Sequence, residues 1–170
     1  MWPSFWLSAS RWLTKMAREI ERKFLVEGEY KSLATSVTRI VQGYIVRDAA
    51  RTVRVRIYRQ RGFLTIKGRS SADGLERCEY EYEIPVAEAE ELVRLCLPGV
   101  VEKRRYRVPW GNHTFEVDEF LGANAPLVVA EVELNERDEA FSRPPFLGKE
   151  VTGDPRYYNS YLSQSPYSLW

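Results

Sequence analysis

The sequence predicts an α+β, mainly β protein: an eight-stranded antiparallel barrel, closed on itself, with a polar interior and a few flanking helices. Three observations carry that prediction. Segments of strand length alternate in character and are mostly linked by short turns. On one strand after another the charged residues gather on a single face and share a sign. The opposite faces are apolar and need cover, which the helical stretches can supply.

The elements follow in order. Glu19-Ile20-Glu21-Arg22-Lys23 runs into Phe24-Leu25-Val26. As a strand it puts Glu19, Glu21 and Lys23 on one face and Ile20, Arg22 and Phe24 on the other. Thr38 to Val46 alternates around Gly43, a site of close backbone approach or a bulge. After a turn at Arg47-Asp48-Ala49-Ala50, Arg51 to Arg59 sets Arg54 and Arg56 opposite Val53, Val55 and Ile57. Phe63 to Lys67 sets Thr65 and Lys67 opposite Leu64 and Ile66. A Gly- and Ser-rich loop from Gly68 to Gly74 leads to Glu76–Ile84, where Glu79, Glu81 and Glu83 oppose Tyr80 and Tyr82.

Val86 to Leu97 has helical spacing, with acids toward its start, and Pro98-Gly99 stops it. Val101 to Val108 carries Lys103, Arg105 and Arg107 on one face. A hairpin at Trp110-Gly111-Asn112 leads to Thr114–Phe120, with Glu116 and Asp118 together. Leu127 to Leu134 carries Glu131 and Glu133. A short helix is expected over Glu136 to Phe141, an irregular stretch over Gly148 to Asp154 and a last helix over Pro155 to Ser163.

A length of 170 residues fits one domain, expected over residues 16–170. Residues 1–15 differ from the rest: Trp2, Phe5, Trp6 and Trp12 stand with Arg11 and Lys15 and no acid. They read as an extension outside the fold, with Met16 a natural start, rather than as an amphipathic membrane-surface anchor. No segment has the length of a membrane-spanning helix. Lys and Arg number 25 against 24 Asp and Glu, so no basic excess points to nucleic acid. Cys78 and Cys96 form neither a disulfide framework nor a close metal pair, which fits free thiols in the reducing cytoplasm.

One stripe of like charge reads most simply as the wet face of an antiparallel sheet. Seven stripes together point to a shared enclosed space, because burying like charges costs several kcal/mol each unless they are paired. Hard carboxylate oxygens without His or Cys suit Mg²⁺ or Mn²⁺. Arg and Lys suit phosphate oxygens, and arginine offers paired donors in a plane. The two sets together describe a site for a polyphosphate carried with a divalent metal. No Ser-His-Asp or Cys-His set and no P-loop is evident, and His113, beside a turn, reads as a surface residue.

The ordered set Glu19-x-Glu21-x-Lys23, Arg54-Val55-Arg56, Thr65-Ile66-Lys67, Glu79/Glu81, Val101-Glu102-Lys103-Arg104-Arg105, Glu116-Val117-Asp118 and Glu131-Val132-Glu133 resembles the CYTH superfamily of triphosphate tunnel metalloenzymes. The tail Arg156-Tyr157-Tyr158-Asn159 extends the likeness, which runs from Met16 to about Leu162 and is strongest to the short bacterial tripolyphosphatases. The resemblance implies an eight-stranded tunnel that hydrolyses inorganic tripolyphosphate to pyrophosphate and phosphate. Lys23, Arg54, Arg56, Lys67, Lys103 and Arg105 would hold the substrate. Glu21, Glu131 and Glu133 would hold the metal that bridges it. Glu19, Glu81 and Asp118, with Glu79 as the alternative to Glu81, would serve a second metal or the attacking water, and Lys103 would share in catalysis. A homodimer is an expectation carried by the resemblance alone.

Other readings stay open at this point. An adenylate cyclase of the same family would need a pocket for base and ribose, and a thiamine triphosphatase an aromatic platform at the tunnel mouth. A polyphosphate-binding module would bind without turnover, but would gain little from so many carboxylates.

Overall fold

The computed structural model describes residues 17–170, so the reading of residues 1–15 as an extension and of Met16 as the start lies outside the described residues. The strands are β1 (Ala17–Val26), β2 (Ser36–Arg47), β3 (Thr52–Tyr58), β4 (Arg61–Lys67), β5 (Glu76–Ile84), β6 (Val101–Trp110), β7 (His113–Phe120), β8 (Val128–Leu134) and β9 (Leu147–Glu150). Two α-helices, α1 (Val86–Arg94) and α2 (Asn159–Leu162), join them. Every pairing is antiparallel, in the order β5-β4-β3-β2-β6-β7-β8-β1, and β1 returns to β5 to close an eight-stranded barrel.

β1 closes the barrel along only part of its length. Its first residues pair with β5, Glu19 opposite Arg77 and Ile20 opposite Glu76. Its later residues instead meet β9, Phe24 opposite Glu150 and Val26 opposite Leu147. The backbone between them is satisfied by bonds from Glu21 N–H to the Leu75 carbonyl and from Val151 N–H to the Lys23 carbonyl. One edge of β1 thus serves three segments in turn.

The barrel is covered outside and polar within. On the outer face Ile20, Phe24, Val108, Phe115, Val117, Ala130 and Val132 are buried against Tyr30, Phe146 and Leu147. Phe115 and Phe146 meet edge to face at 6.1 Å, and both are fully buried. Each such ring contributes about 1.5–3 kcal/mol by leaving water. Helix α1 covers β3 and β4, where Ala89 comes so close to Gly62 that a Cβ there would stand 2.6 Å from the Ala89 Cβ. Inside, a second apolar cluster of Val101, Phe120, Leu127, Val129 and Leu162, with Leu25, Tyr157 and Tyr167 against it, closes one end. The C-terminal segment around α2 therefore forms a floor on the β6–β8 side.

Four expected elements come out differently. Residues 136–141 form turns and coil instead of a helix. The Glu139 N–H bonds the Glu136 carbonyl at 3.3 Å in a single turn that does not continue, and its carboxylate folds back on the Asn135 N–H (2.5 Å) and side chain (3.1 Å). The stretch from Gly148 to Asp154 is not wholly irregular, because β9 reaches Glu150; its pairing with β1 sets the strand, which four residues could not signal alone. Pro155 to Ser163 is broken at Tyr158, whose ψ of 137° separates a 3-10 turn (Pro155–Tyr157) from α2. Helix α1 stops at Arg94, short of Leu97, whose N–H is drawn to the Tyr44 carbonyl at 2.8 Å.

Candidate active site

Period-two alternation decides what faces the barrel interior, and cross-strand register decides what meets there. β1 contributes Glu19, Glu21 and Lys23; β3 contributes Arg54 and Arg56; β5 contributes Arg77, Glu79 and Glu81. Lys67 comes from β4, Arg105 and Arg107 from β6, Glu116 from β7, and Glu131 and Glu133 from β8. All of them line one cavity of about 660 Å³. Of the residues expected from the sequence, only Lys103 and Asp118 lie outside the lining. Both are 1% exposed, and the ammonium of Lys103 donates to Asp118 Oδ2 at 2.5 Å.

The β6–β8 wall is a saturated network. Arg105 grips Asp118 with two donors, Nε at 2.7 Å and Nη2 at 2.6 Å, reaches Glu131 at 3.2 Å and also pairs with Glu116. Glu131 in turn accepts from Lys23. Lys103 adds a bond to Asn159 Oδ1 at 3.1 Å, which ties the C-terminal segment to this wall. Burial would push the Asp118 and Glu131 carboxyls up. Arg105 and Lys103 at Asp118, and Lys23 with Arg105 at Glu131, outweigh it and hold both below the carboxylate range. Burial, then Arg105, bring Lys103 down to about 8 against the pull of Asp118 and Glu131.

The β3–β5 wall is looser. Arg54 donates to Thr65 Oγ1 at 3.1 Å and stands 3.5 Å from Glu81 and 3.8 Å from Glu79. Arg56 donates to Glu81 at 2.9 Å. The Nε atoms of both arginines are buried without a partner among the described residues. Burial and the neighbouring Arg54 bring the Arg56 guanidinium down to about 10. Two incompletely paired arginines that line a cavity, in a locally positive field, are suited to an anion.

Glu79 and Glu81 need not be chosen between, since both face inward. Glu79 pairs with Lys67 at 2.6 Å, and Glu81 also accepts from Thr65 at 2.9 Å. Arg77 did not figure among the expected site residues, yet it lies between Glu19 (2.9 Å) and Glu21 (3.3 Å). Its signal was present, two positions before Glu79 on the same face. Glu116 and Arg107 were likewise visible as inward positions. Tyr44, Tyr158 and Asn159 enter the lining from β2 and the C-terminal segment. His113 also reaches the mouth of the cavity, where its Nε2 lies 2.8 Å from Glu139.

The carboxylates fit a metal that brings ligands of its own. Glu21 and Glu133 face each other directly across β1 and β8, an arrangement of like charges that favours a cation between or beside them. Among the described residues no group of three or more His, Cys, Asp or Glu side chains forms a ready metal cage. Mg²⁺ keeps most of its water and substrate oxygens and takes one or two carboxylates, so a donor pair of this kind suits it.

No helix among the described residues is long and apolar enough to cross a membrane. The CYTH domain matches residues 17–158. A protein of Acetivibrio thermocellus named inorganic triphosphatase is 52% identical over 154 residues, covering 89% of this chain and 97% of its own. One of Nitrosomonas europaea with the same name is 40% identical over 158 residues, covering 86% and 97%. A crystal structure of an inorganic triphosphatase superposes with a TM-score of 0.61 at 36% identity, over 88% of this chain and 97% of that one. Inward-facing charge on seven of the eight barrel strands, the closed barrel and these likenesses agree: the chain belongs to the CYTH domain family.

Proposed function

We propose that this protein is an inorganic triphosphatase, which cleaves a phosphoanhydride bond of tripolyphosphate to give pyrophosphate and phosphate. One observation carries the reading: Arg54 and Arg56, whose guanidinium groups are incompletely paired among the described residues, line a cavity that charged groups surround on every side. A linear, highly charged chain of phosphates supplies acceptors along its length, as a single carboxylate ligand would not. The names of the relatives point the same way.

In this reading Arg54, Arg56, Lys67 and Lys23 bind the phosphate oxygens, and Arg105 holds the opposite wall in place. Phosphoryl transfer rests chiefly on alignment and on spreading negative charge, so a rigid cationic cradle does most of the work. Mg²⁺ or Mn²⁺, held by Glu21, Glu131 and Glu133, would neutralise phosphate charge and make a bound water more acidic. Glu19, with Glu81, orients the attacking water. Lys103 and Asp118 lie sealed outside the lining, so the reading gives them, with Asn159, the support of Arg105 and of the C-terminal segment rather than a part in proton transfer. The reading places the protein in the cytoplasm, where Cys78 and Cys96 stay reduced.

The test is a substrate panel: tripolyphosphate, pyrophosphate and ATP, each with Mg²⁺ or Mn²⁺, with phosphate and cyclic AMP measured. Phosphate from tripolyphosphate at a rate well above that from ATP is expected. Cyclic AMP from ATP with tripolyphosphate intact would reassign the protein as a cyclase.

A further inference from the structure

Next to the apolar floor lies a second cavity, of about 490 Å³. Thr52, Lys67, Arg77, Tyr158 and Ser160 line both cavities, so the two share a wall. Their charge differs. The first has carboxylates and cations in near balance. The second holds Arg47, Arg51, Lys67, Arg69 and Arg77 against a single carboxylate, Asp48.

That carboxylate is already engaged. Asp48 Oδ1 accepts the N–H groups of Ala50 (2.8 Å) and Arg51 (2.9 Å), and Oδ2 lies 3.5 Å from the Arg51 guanidinium. Arg47 is held by neutral groups, the Pro98 carbonyl at 3.2 Å and the Ser163 hydroxyl at 2.8 Å. Among the described residues Arg69 has no carboxylate partner. Lys67 is already held by Glu19 at 3.2 Å and Glu79 at 2.6 Å, and burial, then Arg77 and Arg54, lower its pKa. A walled space of one sign concentrates counter-ions.

We infer that the second cavity is a phosphate-binding vestibule, in which Arg47, Arg51 and Arg69 take a phosphate group other than those held in the main cavity. Its source is free orthophosphate or the far end of a phosphate chain longer than three; both offer the arginines the same oxyanion. The link to turnover rests on the triphosphatase reading, whereas the binding itself does not.

The experiment is isothermal titration of the full chain in EDTA, first with tripolyphosphate to saturation and then with orthophosphate. Orthophosphate is expected to bind the saturated protein, and Arg51→Gln/Arg69→Gln to weaken that step about tenfold or more. The control Arg94→Gln/Arg104→Gln, which neutralises two exposed arginines outside both linings, keeps the wild-type affinity. Tetrapolyphosphate added to the free protein tests the other source. A gain over tripolyphosphate that the Arg51/Arg69 variant loses assigns the vestibule to chain ends. Absence of both effects in the wild type, or their persistence in that variant, overturns the inference. Failure of tripolyphosphate to bind in a parallel titration with Mg²⁺ in place of EDTA would count against the triphosphatase reading alone.

Discussion

The two walls of the main cavity use the same residue types to opposite ends. On β6–β8, Arg105 is engaged by three carboxylates, and Lys103 and Asp118 are sealed behind it. On β3, Arg54 and Arg56 keep a donor each without a partner. Pairing makes the first wall a rigid support, because Lys103, Arg105, Asp118 and Glu131 each have a fixed counter-charge. Incomplete pairing makes the second wall a receptor. Charge at the interior positions is therefore not uniformly functional, and depth and partners separate the two roles.

The contrast breaks most severely at Asp118. Asp118→Ala leaves Lys103 and Arg105 buried with a lost partner, and should cost about 3–5 kcal/mol in urea unfolding. A loss below about 1 kcal/mol would mean that the β6–β8 wall is not a support. The next effect is in acid. Burial would raise the Glu79 carboxyl, but hydrogen bonding with Glu19 and the charges of Lys67 and Arg54 hold it at about 2. Its folded pKa lies below its unfolded one, so its contribution is whole above about pH 4.5 and fades as pH falls toward 2. Wild-type stability should drop through that window by on the order of 2–3 kcal/mol from this group. Glu79→Gln should flatten that part of the curve, and an unchanged slope would remove the pairing.

On the receptor wall, Arg56→Gln should lower kcat/KM for tripolyphosphate about 10- to 100-fold, the value of a charged hydrogen bond, while unfolding changes little. Equal losses of stability and activity would erase the distinction between the walls. The smallest effect is expected outside. Arg61 and Glu83 pair in solvent, so Glu83→Ala should move Tm by no more than about 2 °C and leave turnover unchanged.

Much of this contrast could be read in the chain, and some could not. Strand alternation marked Arg54, Arg56, Lys67, Glu79 and Glu81 as sharing the interior, because a period of two fixes the face whatever the partner strand. It could not show depth. Lys103 and Arg105 have the same pattern, yet one is sealed and the other lines the cavity, since depth follows from barrel stagger and from the floor that Leu162 and Phe120 build. Arg77 was missed because the Glu79–Glu81–Glu83 run drew attention to one sign, although Arg77 continues the same face. β9 and the coil over residues 136–141 escaped for a different reason. Their conformation is set by distant partners, β1 in one case, and in the other Asp73 and Glu76, which pair with Arg137, and His113, which pairs with Glu139.

The most direct trial is a crystal structure with tripolyphosphate and Mn²⁺, the metal located by its anomalous scattering. The phosphates should lie along β3 within hydrogen-bond distance of the Arg54 and Arg56 guanidinium groups, with Mn²⁺ beside Glu21 and Glu133. Tripolyphosphate bound on the outer face of the barrel, out of reach of both guanidinium groups, would contradict the account.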